Sequence, residues 1–221
     1  MSRPARYAYL HGFGSGPRAK KGVALAEALS VHGIELLLPD LNAPSFAKLS
    51  PLAVVERVKE LWESVDRAPL RLVGSSLGGY AAARFSELFP EAVERAVLYC
   101  PGFELSKIWP RVLSPEALER WQKRGSLPFP NEAGKFVDVH HGFLEEAAQI
   151  PPWPRIQCPT RMVHGTADIW VPIEQSRRYR DETPTVVDLI ELEDGHELMG
   201  KLPDVLRVTL EHFGLDHRPP A

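Results

Sequence analysis

The sequence predicts an α/β protein in which about six mostly parallel strands form a sheet covered by helices on both faces. Short apolar segments alternate with helical segments over residues 7–100 and again over 160–213, which is typical of a parallel sheet with crossover helices. The length of 221 residues is enough for one domain and short for two. We therefore expect a single domain over residues 1–221.

Each strand is predicted from a short apolar run, and each helix from apolar residues that recur at helical spacing. The strands are expected near residues 7–10, 34–38, 70–73, 96–100, 160–163 and 186–190. The helices are expected over residues 18–32, 51–62, 79–89, 173–182 and 203–213. Ser50 is predicted to cap the second helix, because a hydroxyl followed by proline in the first turn is a common helix start.

Residues 102–154 interrupt this alternation. The segment is rich in proline, and a structureless loop of that length is uncommon in a compact domain. We therefore expect an inserted helical cap, with one clear helix over Pro115–Arg124. Because the insertion leaves the sheet after Cys100 and returns at Thr160, we expect both of its ends at one edge of the sheet, the edge where the parallel strands end.

The insertion also predicts where a substrate pocket lies. Ligand sites are lined mainly by apolar and aromatic groups. We expect Trp109, Trp121 and Phe143 of the cap to line a pocket for the apolar part of a substrate, and Trp170 to extend the same wall. The alternative is that the cap aromatics form only the cap's own core.

Composition excludes several functional classes. Net charge is −3, without the basic surplus that is typical of nucleic-acid binding. No apolar run approaches the roughly 20 residues that span a bilayer, and the first ten residues do not resemble a signal peptide, so we expect a cytoplasmic protein without a membrane partner. Cys100 and Cys158 do not make a disulfide framework. His140-His141 with Glu145 is the nearest pattern to a metal cluster, and we predict no metal site there.

The strongest chemical signal is Gly74-Ser75-Ser76-Leu77-Gly78-Gly79, which fits G-x-S-x-G with Ser76 at its centre. The run lies between a predicted strand and a predicted helix, the context that this motif requires of a nucleophilic serine. Gly74 and Gly78 leave room for strand and helix to pack around a sharp turn, so the Ser76 hydroxyl projects above the sheet. An ordinary tight turn is the alternative interpretation.

The run His11-Gly12-Phe13-Gly14 follows the first strand and can aim a backbone N–H at a developing oxyanion. We expect the two donors to be the N–H groups of Phe13 and Leu77. Two phosphate-binding interpretations fail: the last glycine of G-x-G-x-x-G would fall on Pro17, and no G-x-x-x-x-G-K-[ST] is present.

A serine nucleophile needs a base and an acid that orients the base. Asp168 follows the fifth predicted strand and His196 the sixth, so both are expected at the same sheet edge as Ser76. The chain order Ser76, Asp168, His196 is that of the α/β-hydrolase arrangement. We expect His196 to accept the proton of Ser76 and Asp168 to hold the imidazole tautomer.

Other histidines and carboxylates compete for these roles. His11 and His164 each precede a glycine at a strand end and are expected to brace their loops. Asp194 is expected to form a turn, and Asp40 is the alternative acid. Histidines in or beside helices away from the catalytic edge are His32, His212 and His217.

At these motifs the chain resembles the α/β-hydrolase superfamily, and it is most similar to the small bacterial YqiA-like esterases. The resemblance is carried by the runs Tyr9-Leu10-His11-Gly12-Phe13-Gly14-Ser15-Gly16-Pro17 and Gly74-Ser75-Ser76-Leu77-Gly78-Gly79-Tyr80. It implies a serine esterase that cleaves small-molecule carboxylic esters through an acyl-enzyme intermediate. It implies no metal and no organic cofactor.

Two departures from the superfamily pattern bear on substrate preference: six strands are predicted where the full sheet has eight, and the insertion is larger than in minimal members. We expect short to medium apolar acyl groups, on esters or thioesters. The alternatives are a carbon–carbon bond hydrolase or peptidase on the same triad, and a hydrolase-fold protein that binds a ligand without turnover. The sequence leaves the oligomeric state open.

Overall fold

The computed structural model describes residues 3–215 and places a six-stranded parallel sheet at the centre of the molecule. The strands in chain order are β1 (Arg6–Leu10), β2 (Leu36–Leu37), β3 (Leu70–Ser75), β4 (Val93–Tyr99), β5 (Ser126–Pro130), β6 (Phe136–His140), β7 (Thr160–Gly165) and β8 (Val186–Leu192). The central sheet has the order β2-β1-β3-β4-β7-β8, and all its neighbouring strands are parallel. The predicted fold class is confirmed.

Helices cover the sheet on both faces. They are α1 (Lys20–Ser30), α2 (Pro51–Ser64), α3 (Leu77–Leu88), α4 (Leu105–Val112), α5 (Pro115–Arg124), α6 (Gly142–Ala147), α7 (Ile173–Glu182) and α8 (Leu202–His212). Successive strand residues pack on opposite faces: Tyr7 and Tyr9 belong to the core shared with α1 and α8, whereas Ala8 and Leu10 belong to the core shared with α2 and α3. The Ser50 hydroxyl caps α2 by accepting from the N–H of Ala53 at 3.0 Å, as predicted.

The insertion contains more than helices. Helix α5 has the predicted bounds, and α4 and α6 flank it, but β5 and β6 form an antiparallel hairpin in the middle of the segment. Leu127 and Phe129 of β5 are buried and alternate with exposed prolines, which is the period of a strand. The prolines hide this strand in the sequence. Proline argues against a strand in general, because it is tolerated only in strands that leave one edge unpaired.

Only the first end of the insertion lies at the catalytic edge. Because β7 is parallel to β4, Thr160 begins at the opposite edge of the sheet. The returning segment descends along α3: the Tyr80 hydroxyl donates to the carbonyl of Pro151, and the N–H of Gln157 donates to Ser86 Oγ. The expectation that both ends share one edge is therefore wrong, and the cap is the part of the insertion over residues 105–147.

Within residues 3–215, the structure contains no helix that is long and apolar enough to span a lipid bilayer.

Candidate active site

Ser76 stands in a strained turn between β3 and α3. Its backbone has φ 54° and ψ −115°, a conformation that residues other than glycine rarely adopt. A Cβ at position 78 would lie 2.0 Å from the carbonyl oxygen of Leu10, and one at position 74 would lie 2.4 Å from the carbonyl oxygen of Gly78. Both positions therefore require glycine, and the close packing that results holds the Ser76 side chain at a cavity above the sheet.

The structure brings His196 and Asp168 together. Asp168 lies in the loop after β7 and His196 in the loop after β8, and Nδ1 of His196 is 2.6 Å from Oδ2 of Asp168. A carboxylate accepts only, so Nδ1 carries the proton and Nε2 is left as the acceptor. His196 lines the same cavity as Ser76, and the described contacts include no hydrogen bond between the two side chains. Such bonds often form only when substrate binds.

Asp168 is held as a carboxylate by several donors. Burial alone would raise its pKa, but hydrogen bonds from His164, His196 and the backbone of Val171 outweigh burial and hold the pKa of Asp168 well below its usual range. Oδ1 also accepts from the N–H of Trp170 at 2.8 Å. The carboxylate is thus fixed in position and charged at any pH at which the protein would work.

His164 and Cys100 lie next to the Asp168 carboxylate. The sequence did not predict this position for either residue. His164 Nε2 lies 3.2 Å from Asp168 Oδ2 and 2.9 Å from the carbonyl of Val171, while Nδ1 lies 2.7 Å from Ser176 Oγ. His164 therefore braces its loop, as expected, and also supports the acid. Cys100 follows β4 and its Sγ lies close to both Asp168 and His196.

His11, Asp40 and Asp194, which competed for the roles of base and acid, have structural partners. His11 Nδ1 bonds the carbonyl of Gly12, and Nε2 accepts from the N–H of Leu41 at 2.9 Å, so the ring is neutral and braces its loop. Asp40 accepts from Asn42 and is largely exposed. Asp194 accepts from the N–H groups of Gly195 and Lys201, as a turn former does. His217 lies outside the described residues.

The two expected oxyanion donors lie on either side of the serine. Gly12 passes directly over Ser76, since a Cβ on Gly12 would be 3.2 Å from the Cβ of Ser76. Phe13 follows Gly12, and Leu77 is the first residue of α3, where the backbone N–H has no partner within the helix. Within residues 3–215, no backbone acceptor bonds the N–H of Phe13 or Leu77.

A cavity of about 610 Å³ opens above Ser76. Trp109 and Phe143 of the cap line it, and Trp170 extends its wall. Phe13 packs edge-on against Trp109 at 4.7 Å and against Phe143 at 5.4 Å, which makes this side of the cavity aromatic. Sequence reasoning missed Leu105, Ile108 and Phe129, which line the same side.

Trp121 corrects the predicted pocket. It is fully buried and does not line the cavity. Its indole N–H donates to the carbonyl of Val139 at 2.8 Å, and its ring packs behind Trp109 and Phe129. Trp121 therefore belongs to the cap's own core, because α5 turns this side chain onto the hairpin rather than toward Ser76.

Among residues 3–215, the side chains nearest to a metal-ligand cluster are Cys100, Asp168 and His196, whose ligand atoms lie within 4.8 Å of one another. Burial raises the pKa of the Cys100 thiol, which keeps it protonated, and metals bind the thiolate. Asp168 is already committed to its hydrogen bonds, so the arrangement fits a charge-paired imidazole better than a metal. His140 and His141 do not converge either: His141 pairs with Glu145, and His140 accepts from the N–H of Gly142.

The parallel sheet and the likeness to solved structures give this chain the α/β-hydrolase fold, with Ser76, Asp168 and His196 placed where strands of the sheet end. The chain belongs to the family described as Uncharacterised protein family (UPF0227), which it matches over residues 6–209.

Solved structures with this fold include alpha/beta hydrolase domain-containing protein 10 from mouse, with a TM-score of 0.77, 21% identity, and coverage of 97% of this chain and 91% of that one. Est1E from Butyrivibrio proteoclasticus, in a structure with ferulic acid bound, superposes with a TM-score of 0.79 at 16% identity, covering 96% of this chain and 90% of that one. These likenesses establish the shared fold.

The curated proteins that are similar in sequence include a lipase and a thioesterase. Monoacylglycerol lipase ABHD6 of Mus musculus is 24% identical over 173 residues, which are 74% of this chain and 48% of that protein. Mitochondrial palmitoyl-protein thioesterase ABHD10 of Rattus norvegicus is 25% identical over 203 residues, which are 86% of this chain and 68% of that protein. The chain thus spans about half the length of the lipase that it matches.

Proposed function

We propose that this chain is a serine esterase that hydrolyses carboxylic esters of short to medium apolar acyl groups. The observation that carries the proposal is the Asp168–His196 pair, bonded at 2.6 Å, beside a serine held in a strained turn at the same cavity. The names of the lipase, thioesterase and esterase relatives support cleavage of an acyl–oxygen or acyl–sulfur bond.

In the proposed mechanism, Ser76 Oγ attacks the carbonyl carbon while His196 Nε2 accepts its proton. The carbonyl oxygen gains the negative charge and accepts hydrogen bonds from the N–H groups of Phe13 and Leu77. Asp168 stabilises the imidazolium through Nδ1. His196 then donates its proton to the alcohol oxygen, the acyl–oxygen bond breaks, and the alcohol leaves. Water attacks the acyl-enzyme by the same route and releases the acid.

A substrate panel tests the reaction class. Purified protein would be incubated with 4-nitrophenyl esters, the matching thioesters, the matching anilides and a 1,3-diketone. We expect turnover of esters or thioesters and much slower turnover of anilides and diketones. Preferential cleavage of the anilide or the diketone would support the peptidase or carbon–carbon hydrolase alternative, and no turnover of any substrate would support a binding protein.

The pH dependence of kcat/KM tests the proton acceptor. Because a protonated imidazole cannot accept the Ser76 proton, kcat/KM should fall about tenfold for each pH unit on the acid side of the profile. Asp168 stays ionised over this range, since its pKa lies below its usual value, and so adds no second step. The measurement is the initial rate with a 4-nitrophenyl ester as pH is lowered. A profile that stays flat to about pH 4 would point to a base other than a histidine.

Acyl-length preference tests the role of the cap. Each methylene that enters an apolar pocket should stabilise the bound transition state by up to about 0.8 kcal/mol, and so raise kcat/KM, until the pocket is full. Trp109→Ala and Phe143→Ala enlarge the aromatic side of the cavity, so the preferred acyl chain should become longer in both variants. Trp121→Phe is the matched control, because Trp121 packs in the cap core away from the cavity, and its preferred length should stay that of wild type. If no cap variant shifts the preference, the cap does not select the acyl group.

A further inference from the structure

One wall of the catalytic cavity is polar and carries a buried lysine. Lys21, the second residue of α1, is only 6% exposed, and it lines the cavity with Tyr9, Ser75 and Glu197. Burying a charge costs free energy unless an opposite charge or good acceptors compensate. A lysine in this position therefore needs a partner.

The protein gives Lys21 only a weak partner. Its Nζ lies 3.5 Å from Glu197 Oε2, at the outer limit of a hydrogen bond, and the Glu197 side chain is 76% exposed. An ammonium group has three N–H donors, and among residues 3–215 no second acceptor bonds Nζ. The remaining donor capacity is available to a ligand in the cavity.

The surroundings of Lys21 favour a negative charge. Helix α1 begins at this wall, without a side-chain cap and without an acidic residue in its first turn, so the positive end of its dipole lies at the wall uncompensated by a carboxylate of its own first turn. Lys20 adds a second positive charge at the rim. Burial raises the pKa of Tyr9, which keeps that hydroxyl neutral and able to donate a hydrogen bond.

The position of this wall relative to the reacting groups indicates which half of the ester it meets. The acyl half is expected among the cap aromatics, because Phe13 packs against Trp109 and Phe143. The departing alcohol receives its proton from His196, and the residue after His196 is Glu197, which Lys21 contacts. We therefore assign the alcohol half to the wall that carries Lys21.

We propose that Lys21 binds a carboxylate on the alcohol half of the substrate, so that the preferred substrates are apolar acyl esters of a carboxylate-bearing alcohol. The charged side chains that line the cavity leave one net positive charge, which suits a ligand with a single negative charge; they are Arg18, Lys20, Lys21, Glu132 and Glu197. This inference rests on the proposed esterase function and names the substrate class of that same site.

Two matched esters test it: phenyl butyrate, which is neutral, and 4-carboxyphenyl butyrate, which carries the carboxylate on its leaving group. Lys21→Met keeps an apolar stem of similar length and removes the charge. We expect the variant to lower the ratio of kcat/KM for the carboxylate ester to kcat/KM for the neutral ester about tenfold or more, as for loss of a hydrogen bond to a charged group. Lys123→Met, on an exposed face of α5 away from the cavity, is the matched charge control and should change neither.

A second variant, at an exposed residue, tests the proposal even if Lys21→Met does not fold. Glu197 is largely exposed, so Glu197→Gln should fold normally, and it removes the competing carboxylate. The ratio of the two kcat/KM values should then rise about two- to fivefold in favour of the carboxylate ester. Equal losses on both esters in Lys21→Met, with an unchanged ratio in Glu197→Gln, would show that Lys21 only tethers the His196 loop and would overturn the proposal.

Two further measurements distinguish failure of this proposal from failure of the proposed esterase function. Phenyl hemisuccinate carries its carboxylate on the acyl half, and a Lys21-dependent preference for that ester over 4-carboxyphenyl butyrate would contradict the assigned side. If wild type cleaves no ester, the proposed function fails, and calorimetric binding of 4-hydroxybenzoate still tests the anion site. Binding that is lost in Lys21→Met would support the site, and equal binding to both proteins would contradict it.

Discussion

Replacing Ser76 with alanine should lower kcat/KM for ester hydrolysis by about 10⁴-fold or more, because the variant has no hydroxyl at the position that attacks the carbonyl carbon. The fold should persist, since alanine removes only the hydroxyl and the turn is fixed by the glycines at 74 and 78. The measurements are initial rates and thermal unfolding of the purified variant. Ser64→Ala, which removes an exposed hydroxyl on α2, is the matched control and should retain wild-type activity.

The variant Ser76→Gly distinguishes the cost of backbone strain to stability from the role of the serine hydroxyl in catalysis. Ser76 has a positive φ, which costs a residue other than glycine about 1–3 kcal/mol. Ser76→Gly should therefore be as inactive as Ser76→Ala and more stable than wild type by about 1 kcal/mol. A Ser76→Ala protein that keeps more than a few per cent of wild-type activity would show that the nucleophile lies elsewhere.

The second large effect is expected for Asp168→Asn, which should lower kcat by about 10⁴-fold. Asparagine has nearly the same shape, but its amide can donate to His196 Nδ1 and so favour the tautomer that leaves Nε2 protonated. An Nε2 that already carries a proton cannot accept one from Ser76. The measurement is kcat with a 4-nitrophenyl ester at saturating concentration.

Asp40→Asn is the matched control for Asp168→Asn. Asp40 was the alternative acid, but it is 57% exposed and its nearest histidine is His11, at 3.7 Å. We expect wild-type kcat in Asp40→Asn. A small effect of Asp168→Asn together with a large effect of Asp40→Asn would reverse the assignment of the acid.

The central sheet was predictable because its signals are local. Each strand is a short apolar run, and Gly74 and Gly78 mark the sharp turn around Ser76 wherever the rest of the chain goes. Asp168 and His196 were predictable for a related reason: residues that follow parallel strands meet at one edge of the sheet, so chain order and strand assignment together bring them close.

The cap was less predictable because its packing is set by tertiary contacts. A helical residue such as Trp121 faces either the pocket or the cap core according to how α5 sits on the hairpin, and sequence spacing does not fix that choice. The hairpin itself was missed because Pro128 and Pro130 stand at the exposed positions of β5. The buried positions, Leu127 and Phe129, carried the strand period.

The spacing of Lys21 along α1 also indicates that this lysine is buried. Residues four apart share one face of a helix, and Lys21 precedes the buried Leu25 and Leu29 at that spacing. Val23, two residues further on, is exposed. A charged residue in register with a buried stripe indicates either an internal ion pair or a ligand, and only the structure shows the cavity beside it.

Covalent labelling with a fluorophosphonate tests the central claim most directly. The reagent phosphonylates a serine that a neighbouring base activates, and mass spectrometry of the digested protein locates the adduct. We expect one equivalent of label on Ser76, and none after Ser76→Ala, while the Asp168→Asn protein should label much more slowly than wild type. Label on Ser75 or on any other residue, or the absence of label from the folded wild-type protein, would contradict the assignment of Ser76 as the nucleophile.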